Sequence, residues 1–413
     1  MGVKALSGVR EMRYRLKANL RLFRLRHSRR PVRVAFVVVT DSCFQLEDVF
    51  RLMLADRRFE PIVVVAPDTS RGEAHMHEVM TRTFSSLSAK YGEKVRLALV
   101  DGKFVDIAGQ CDMCTVMNPY SGMTDRRYSI PHFFRQGVPV FFSRYFFDSG
   151  SVWSEHFNVM PEISMLWRFY VDSPRDARLV AQANPPLARR GGIVASGVAK
   201  IDRLAAVPLS VRSRKRIILS PHHTVSGNAA GKFQIGNFIS YADYFLTLPA
   251  RYPQVDWVFR PHPLLLTALV VRGIWNERQR DDYLAKMTAY SNVEYQRDGD
   301  YAETFVNSDG LIQDCASFLP EYYHTGHPQC YILADHEAAQ RQFGAWGQRL
   351  LEHVYLAYDP GDIDKFVERV VLAEEDPMKE ERERFFRAEL GYNYPNASRI
   401  IYNDIRKALG CLD

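Results

Sequence analysis

Six consecutive apolar residues, Val34 to Val39, with no polar residue among them, narrow the fold more than any other feature. The run is far short of the ~18 residues a membrane span needs and has the length of a strand. A strand that does not alternate apolar with polar is covered on both faces, which is the condition of a parallel sheet. PIVVVA (61–66), VRLALV (95–100), CTVM (114–117), VPVFF (138–142) and GGIVAS (191–196) repeat the pattern. A second series runs through RIILS (216–220), VDWVFR (255–260), NVEY (292–295), GLIQ (310–313) and QCYIL (329–333). Helical stretches such as 241–252 and 281–290 lie between, and the chain from Pro377 onward is helical and charged. The expected fold class is α/β, with two doubly wound Rossmann-like domains at 32–203 and 204–376 and C-terminal helices at 377–413.

Charge is distributed unevenly. Residues 1–33 hold eleven Lys or Arg and one acid, whereas the rest of the 413-residue chain has a slight acidic excess. Nucleic acid is therefore a poor partner for the main body. Within 1–31, Val9, Met12, Leu16, Leu20 and Phe23 recur at helical spacing among arginines. Such a helix suits the interface of an anionic membrane, the alternatives being a solvated cap on the domain or an RNA-attracted tail. Those same arginines break up the early apolar residues and argue against a cleaved signal peptide. Six scattered cysteines give no disulfide framework and fit a reducing compartment. Cys111 and Cys114 form a CxxC without a second pair, which reads as buried or strand-edge cysteines rather than a zinc site.

Three other motifs carry little. GNAAGKF (227–233) is one residue short of a phosphate loop, and Phe233 stands where Ser or Thr would hold magnesium. Asp298-Gly299-Asp300 could mimic a metal-binding DxD, but Asp300 with Glu303 reads better as a helix capping box. His75 and His77 are two apart, so on a helix they face different ways. No metal is expected.

Three segments in the second half do carry chemistry, each where a strand ends: SPHHTVSG (220–227), FRPHPLL (259–265) and SDGLIQDCASFLPEYYHTGHP (308–328). Ligands of open α/β sheets bind outside the carboxyl ends of strands. Ser317 opens a new helix, where its hydroxyl and neighbouring amides can face a phosphate. Arg260, His222, His223 and His262 can surround a diphosphate with cationic or hydrogen-bonding groups. Glu321, a turn beyond Ser317, can accept ribose hydroxyls.

These segments, with ASGVAKIDRL (195–204), resemble the CDP-glycerol glycerophosphotransferase family, which includes teichoic acid primases and polymerases and many capsule proteins. The resemblance spans residues 190–335 well and 32–150 in outline. It implies a GT-B fold of two Rossmann-like domains facing a cleft, with a nucleotide-activated donor on the second and a lipid-linked glycan acceptor on the first. It places His262, Arg260, Asp314, Ser317 and Glu321 in the donor site. It also implies no cofactor beyond the donor, and a bacterial enzyme held peripherally at the cytoplasmic face of the plasma membrane. Cys315 and Ala316 depart from the family's central motif. The histidine segment that supplies a base in teichoic acid polymerases is missing, and FFSRYFFD (141–148) takes its approximate place. That leaves Asp41 and His132 as candidates for the base, with Asn118 and Tyr120 on the acceptor side. The expected reaction is transfer of glycerol phosphate, or a related polyol phosphate, with release of CMP. A GT-B glycosyltransferase of surface polysaccharide synthesis and a non-catalytic nucleotide-binding subunit are the alternatives.

Overall fold

The computed structural model describes residues 8–149, 157–225, 235–297 and 299–411. These fall into two compact units. The first comprises the described residues within 1–146, 156–203 and 392–413, and the second those within 147–155 and 204–391.

The first unit holds a seven-stranded parallel sheet in the order β3-β2-β1-β6-β7-β8-β9. Its strands are β1 (Val32–Val38), β2 (Phe59–Val65), β3 (Val95–Leu97), β6 (Met113–Val116), β7 (Val140–Ser143), β8 (Arg168–Val171) and β9 (Ile193–Ala195). The Val34–Val39 run lies in and just past β1, near the middle of the sheet, and all six residues are buried. Phe36 meets Phe44, Phe50 and Phe141 edge-on there. VRLALV is not one strand. After β3 the chain forms a small antiparallel hairpin of β4 (Leu99–Val100) and β5 (Lys103–Phe104). Asp101 and Gly102 turn it, both at positive φ, as a two-residue hairpin loop requires.

The second unit holds a six-stranded parallel sheet in the order β12-β11-β10-β13-β14-β15. Its strands are β10 (Lys215–Ser220), β11 (Val255–Phe259), β12 (Val293–Tyr295), β13 (Gly310–Gln313), β14 (Gln329–Ile332) and β15 (Tyr355–Ala357). Strands β8 and β15 are additions to the sequence reading. In both sheets the order reverses beside the first strand, between β1 and β6 and between β10 and β13. Such switch points leave a crevice at the carboxyl edge.

The final helix, Ala397–Ala408, belongs to the first unit. Its leading amides of Ala397 and Ser398 donate to the Asp202 carboxylate, so a residue from ASGVAKIDRL does the work of an N-cap. Gly197, at φ +87°, lets the backbone pass close by, since a Cβ there would sit 2.4 Å from the Tyr392 carbonyl oxygen. Asp202→Ala is expected to cost about 1–2 kcal/mol, read as a lowered melting temperature with unchanged secondary structure.

The DGD reading needs correction. Asp298 lies outside the described residues. The helix that follows, Ala302–Val306, has Tyr301 at its N-cap position and no side-chain cap. Asp300 accepts the Ala302 amide at 2.9 Å, so it closes the turn without a capping box. GNAAGKF also falls outside the described residues.

Candidate functional site

The carboxyl ends of β10, β11 and β13 are adjacent, and the three segments singled out in the sequence leave from them. His222 and His223 follow β10, and His262 follows β11. Their rings pack together, with centroids 4.1 to 5.1 Å apart. All three rings keep partial exposure.

Backbone donors assign two of the tautomers. The Leu264 amide donates to His262 Nδ1 at 3.1 Å. The Thr224 amide donates to His222 Nδ1 at 3.4 Å, and the Thr224 hydroxyl lies 3.1 Å from the same atom. A neutral ring whose Nδ1 accepts must carry its proton on Nε2. Desolvation first, and His223 second, hold His222 well below its usual pKa, so it is neutral. His222 and His262 therefore each carry an Nε2–H donor, with ring centroids 5.1 Å apart.

One nitrogen from each of the three rings lies within 4.8 Å of the others, the spacing of a metal site. The tautomers argue against that use, because the lone pairs of His222 and His262 are already taken at Nδ1. Two N–H donors suit an anion, such as the oxygens of a diphosphate. Activity is expected to persist in excess chelator, and complete, metal-reversible loss would contradict this assignment.

Asp314 follows β13 at the switch point and is 1% exposed. Its Oδ1 accepts the His222 amide at 2.6 Å, and its Oδ2 accepts the amide of Asn237 and, at 3.3 Å, Asn237 Nδ2. Desolvation pushes its pKa up to about 6, against the pull of those donors. Asp314 is thus a strut that fixes the His222 loop at the carboxyl end of β13. Thr224 acts with it, accepting the amides of Ile235 and Gly236 at 3.2 and 2.8 Å. A Cβ on Gly236 would lie 2.7 Å from the Thr224 carbonyl oxygen, so only glycine allows this approach.

Arg260 is also held by protein partners. Its Nη1 donates to Gln296 Oε1 at 2.9 Å, its Nη2 to the Gly299 carbonyl at 2.6 Å, and its guanidinium lies over the Tyr301 ring. It braces the loop after β12. Glu321 is fully buried and accepts the Tyr301 hydroxyl, a second brace on this loop. Ser317 sits half-buried at the start of the helix Phe318–Tyr322, with its hydroxyl 3.1 Å from the Cys315 thiol.

In the first unit, Asp41 lies just past β1, and Asn118 and Tyr120 lie just past β6, on either side of that sheet's switch point. The Asn118 carboxamide accepts the Tyr120 amide at 3.2 Å. The Tyr120 hydroxyl is 3.4 Å from that of Tyr145, a residue following β7 that the sequence reading did not single out. Desolvation, and Tyr120 after it, keep the Tyr145 phenol protonated. His132 is placed elsewhere, in the helix Ile130–Arg135, with Nε2 3.0 Å from Asp106 Oδ2. Cys111 and Cys114 are buried free thiols, raised in pKa by desolvation and so unreactive.

No family model and no curated protein matches this chain in sequence. Solved structures do match in fold. The wall teichoic acid polymerase TagF aligns at a TM-score of 0.58 and 13% identity, covering 98% of this chain and 99% of that one. A TagF variant soaked with CDPG aligns at 0.56 and 12%, covering 98% of each. A Neisseria meningitidis UDP-GlcNAc 2-epimerase bound to UDP-GlcNAc aligns at 0.52 and 13%, covering 91% of this chain and all of that one. S. aureus MnaA with UDP aligns at 0.57 and 12%, covering 92% and 98%. The fold of this chain is of the GT-B type, two Rossmann-like domains in one polypeptide.

Proposed function

We propose that this chain is a transferase that moves glycerol phosphate, or a related polyol phosphate, from a CDP-activated donor to a hydroxyl of a lipid-linked surface glycan. The observation that carries the reading is the pair of Nε2–H donors from His222 and His262 at the carboxyl edge of the second sheet. Two fixed N–H donors at that edge suit the bridging and distal oxygens of a nucleoside diphosphate ester. The resemblance of the surrounding motifs selects CDP-glycerol among such donors. The fold neighbours support a nucleotide-activated donor more broadly, since their structures include UDP, UDP-GlcNAc and CDPG.

In the proposed step an acceptor hydroxyl oxygen attacks the distal phosphorus. The bond from that phosphorus to the bridging oxygen breaks, and CMP departs with the bridging oxygen. Catalysis is positioning together with stabilisation of the phosphoryl oxygens. The acceptor's proton passes to a base. Asp41 lies on the same sheet edge as Asn118 and Tyr120, and is a better placed candidate than His132, which is paired with Asp106. No cofactor is needed, and the reaction belongs at the cytoplasmic face of the plasma membrane.

The test offers CDP-glycerol, CDP-ribitol and UDP-sugars, with and without a lipid-linked glycan, and weighs the glycan product. A polyol phosphate gained only from a CDP-activated donor supports the proposal. Sugar transfer from a UDP-sugar would replace it with glycosyl transfer. Conversion of a UDP-sugar without any acceptor would replace it with epimerisation. Tight nucleotide binding with no turnover would favour a non-catalytic subunit.

A further inference from the structure

The helix Gly8–Arg26 has two unlike faces, and the first unit covers only one of them. Tyr14, Ala18, Leu22 and Leu25 form the inner row. Leu25 is 1% exposed, Tyr14 and Leu22 pack on the core, and the Tyr14 ring meets Phe134 edge-on. The helix is therefore a fixed part of the unit and not a loose tail.

The opposite row is Val9, Met12, Leu16, Leu20 and Phe23, and these five side chains are 46–74% exposed. They recur at helical spacing and form one apolar stripe. Beside it runs a second row at the same spacing, Arg10, Arg13, Lys17 and Arg24, all exposed. Folding gains nothing from an apolar stripe held in water next to a row of cations. That juxtaposition fits a partner that is apolar beneath an anionic surface.

We infer that this outer face docks the first unit on an anionic lipid bilayer, with the apolar stripe among the acyl chains and the basic row at the headgroups. Charge complementarity selects lipid over a second copy of the chain, since two such faces would bring like charges together. No helix among the described residues is long and apolar enough to cross a membrane, so this docking is interfacial.

The contacts of the inner face also set the orientation. Arg21 donates to the Cys111 carbonyl, just before β6, and Arg15 donates to the Ser164 carbonyl, ahead of β8. Lys17 covers Gly137, just before β7, and Arg58, just before β2, donates to the Leu25 carbonyl. The helix thus crosses the amino edge of the sheet. Docking by its outer face leaves the carboxyl edge, with Asp41 and Asn118, turned toward water.

The inference stands on the helix alone and is independent of the transferase reading, so its test uses the protein without substrate. Deleting the helix would uncover the core, so substitutions on its exposed rows are used instead. The full chain is sedimented with vesicles of phosphatidylcholine containing phosphatidylglycerol, and with phosphatidylcholine alone. Binding is expected only to the anionic vesicles. Leu16→Glu with Phe23→Glu, or Arg13→Glu with Arg24→Glu, should weaken it about ten-fold or more without changing the melting temperature, and added salt should weaken it as well. Unchanged binding by the Leu16/Phe23 double variant would overturn the inference. So would a lipid-free dimer that the same variant dissociates, or RNA binding in place of vesicle binding.

Discussion

Alanine at His262 is expected to lower transfer turnover by at least about ten-fold, a loss of ~1.4 kcal/mol of transition-state stabilisation. The ring follows β11 with Nδ1 accepting the Leu264 amide, which leaves Nε2–H as its donor. Alanine removes that donor and also the edge on which the His222 and His223 rings rest. Glutamine carries an amide N–H near the position of Nε2, so His262→Gln should recover part of the rate, whereas His262→Phe should keep the packing without the rate. Steady-state turnover of the three variants, each with an unchanged melting temperature, checks the assignment. Near wild-type turnover in folded His262→Ala would remove His262 from the mechanism.

Asparagine at Asp314 is expected to cost both stability and activity. Two backbone amides and the Asn237 side chain donate to this carboxylate, and asparagine would turn an NH2 group toward at least one of them. Leaving a buried donor unsatisfied costs about 1–3 kcal/mol. For a unit of this size, 2 kcal/mol lowers the melting temperature by roughly 4–8 °C. Activity should fall as well, because the His222 loop loses its tether. The pH dependence has a definite sign. The folded pKa is raised by burial to about 6, above the ordinary aspartate range, so the native state holds the proton more tightly than the unfolded chain. The associated stabilisation is complete below the unfolded pKa and is lost as pH rises through the folded one. The substitution should therefore cost more at pH 5 than at pH 7, as thermal melts of both proteins at the two values would show. An equal or smaller cost at pH 5 would place the carboxylate in some other role.

The strands were legible because a parallel strand buried on both faces must be apolar throughout, and little else produces runs such as VRVAFVVV. RFYV and YLA escaped notice because they are short and Arg168 breaks the first. The hairpin at Asp101-Gly102 had its signal in the sequence, but the apolar residues on both sides concealed the turn. The site was legible in part for the same reason. Strand ends locate His222, His262 and Asp314, and the crevice rule supplies their neighbourhood. Hydrogen-bond direction was not legible. That Arg260 donates to Gln296 depends on the loop after β12, and that Asp314 accepts from Asn237 depends on a residue 77 positions earlier. Thr224 had a local signal, a hydroxyl two residues after His222, and Tyr145 had none.

The central claim is phosphoryl transfer, and the nucleotide released during turnover tests it most directly. With CDP-glycerol and a lipid-linked glycan, the account predicts CMP in a one-to-one ratio with glycerol phosphate added to the glycan. It also predicts that an oxygen label placed in the bridging position of the donor leaves with the CMP. Release of CDP, or of any other nucleoside diphosphate, with the sugar or polyol carbon transferred would contradict it.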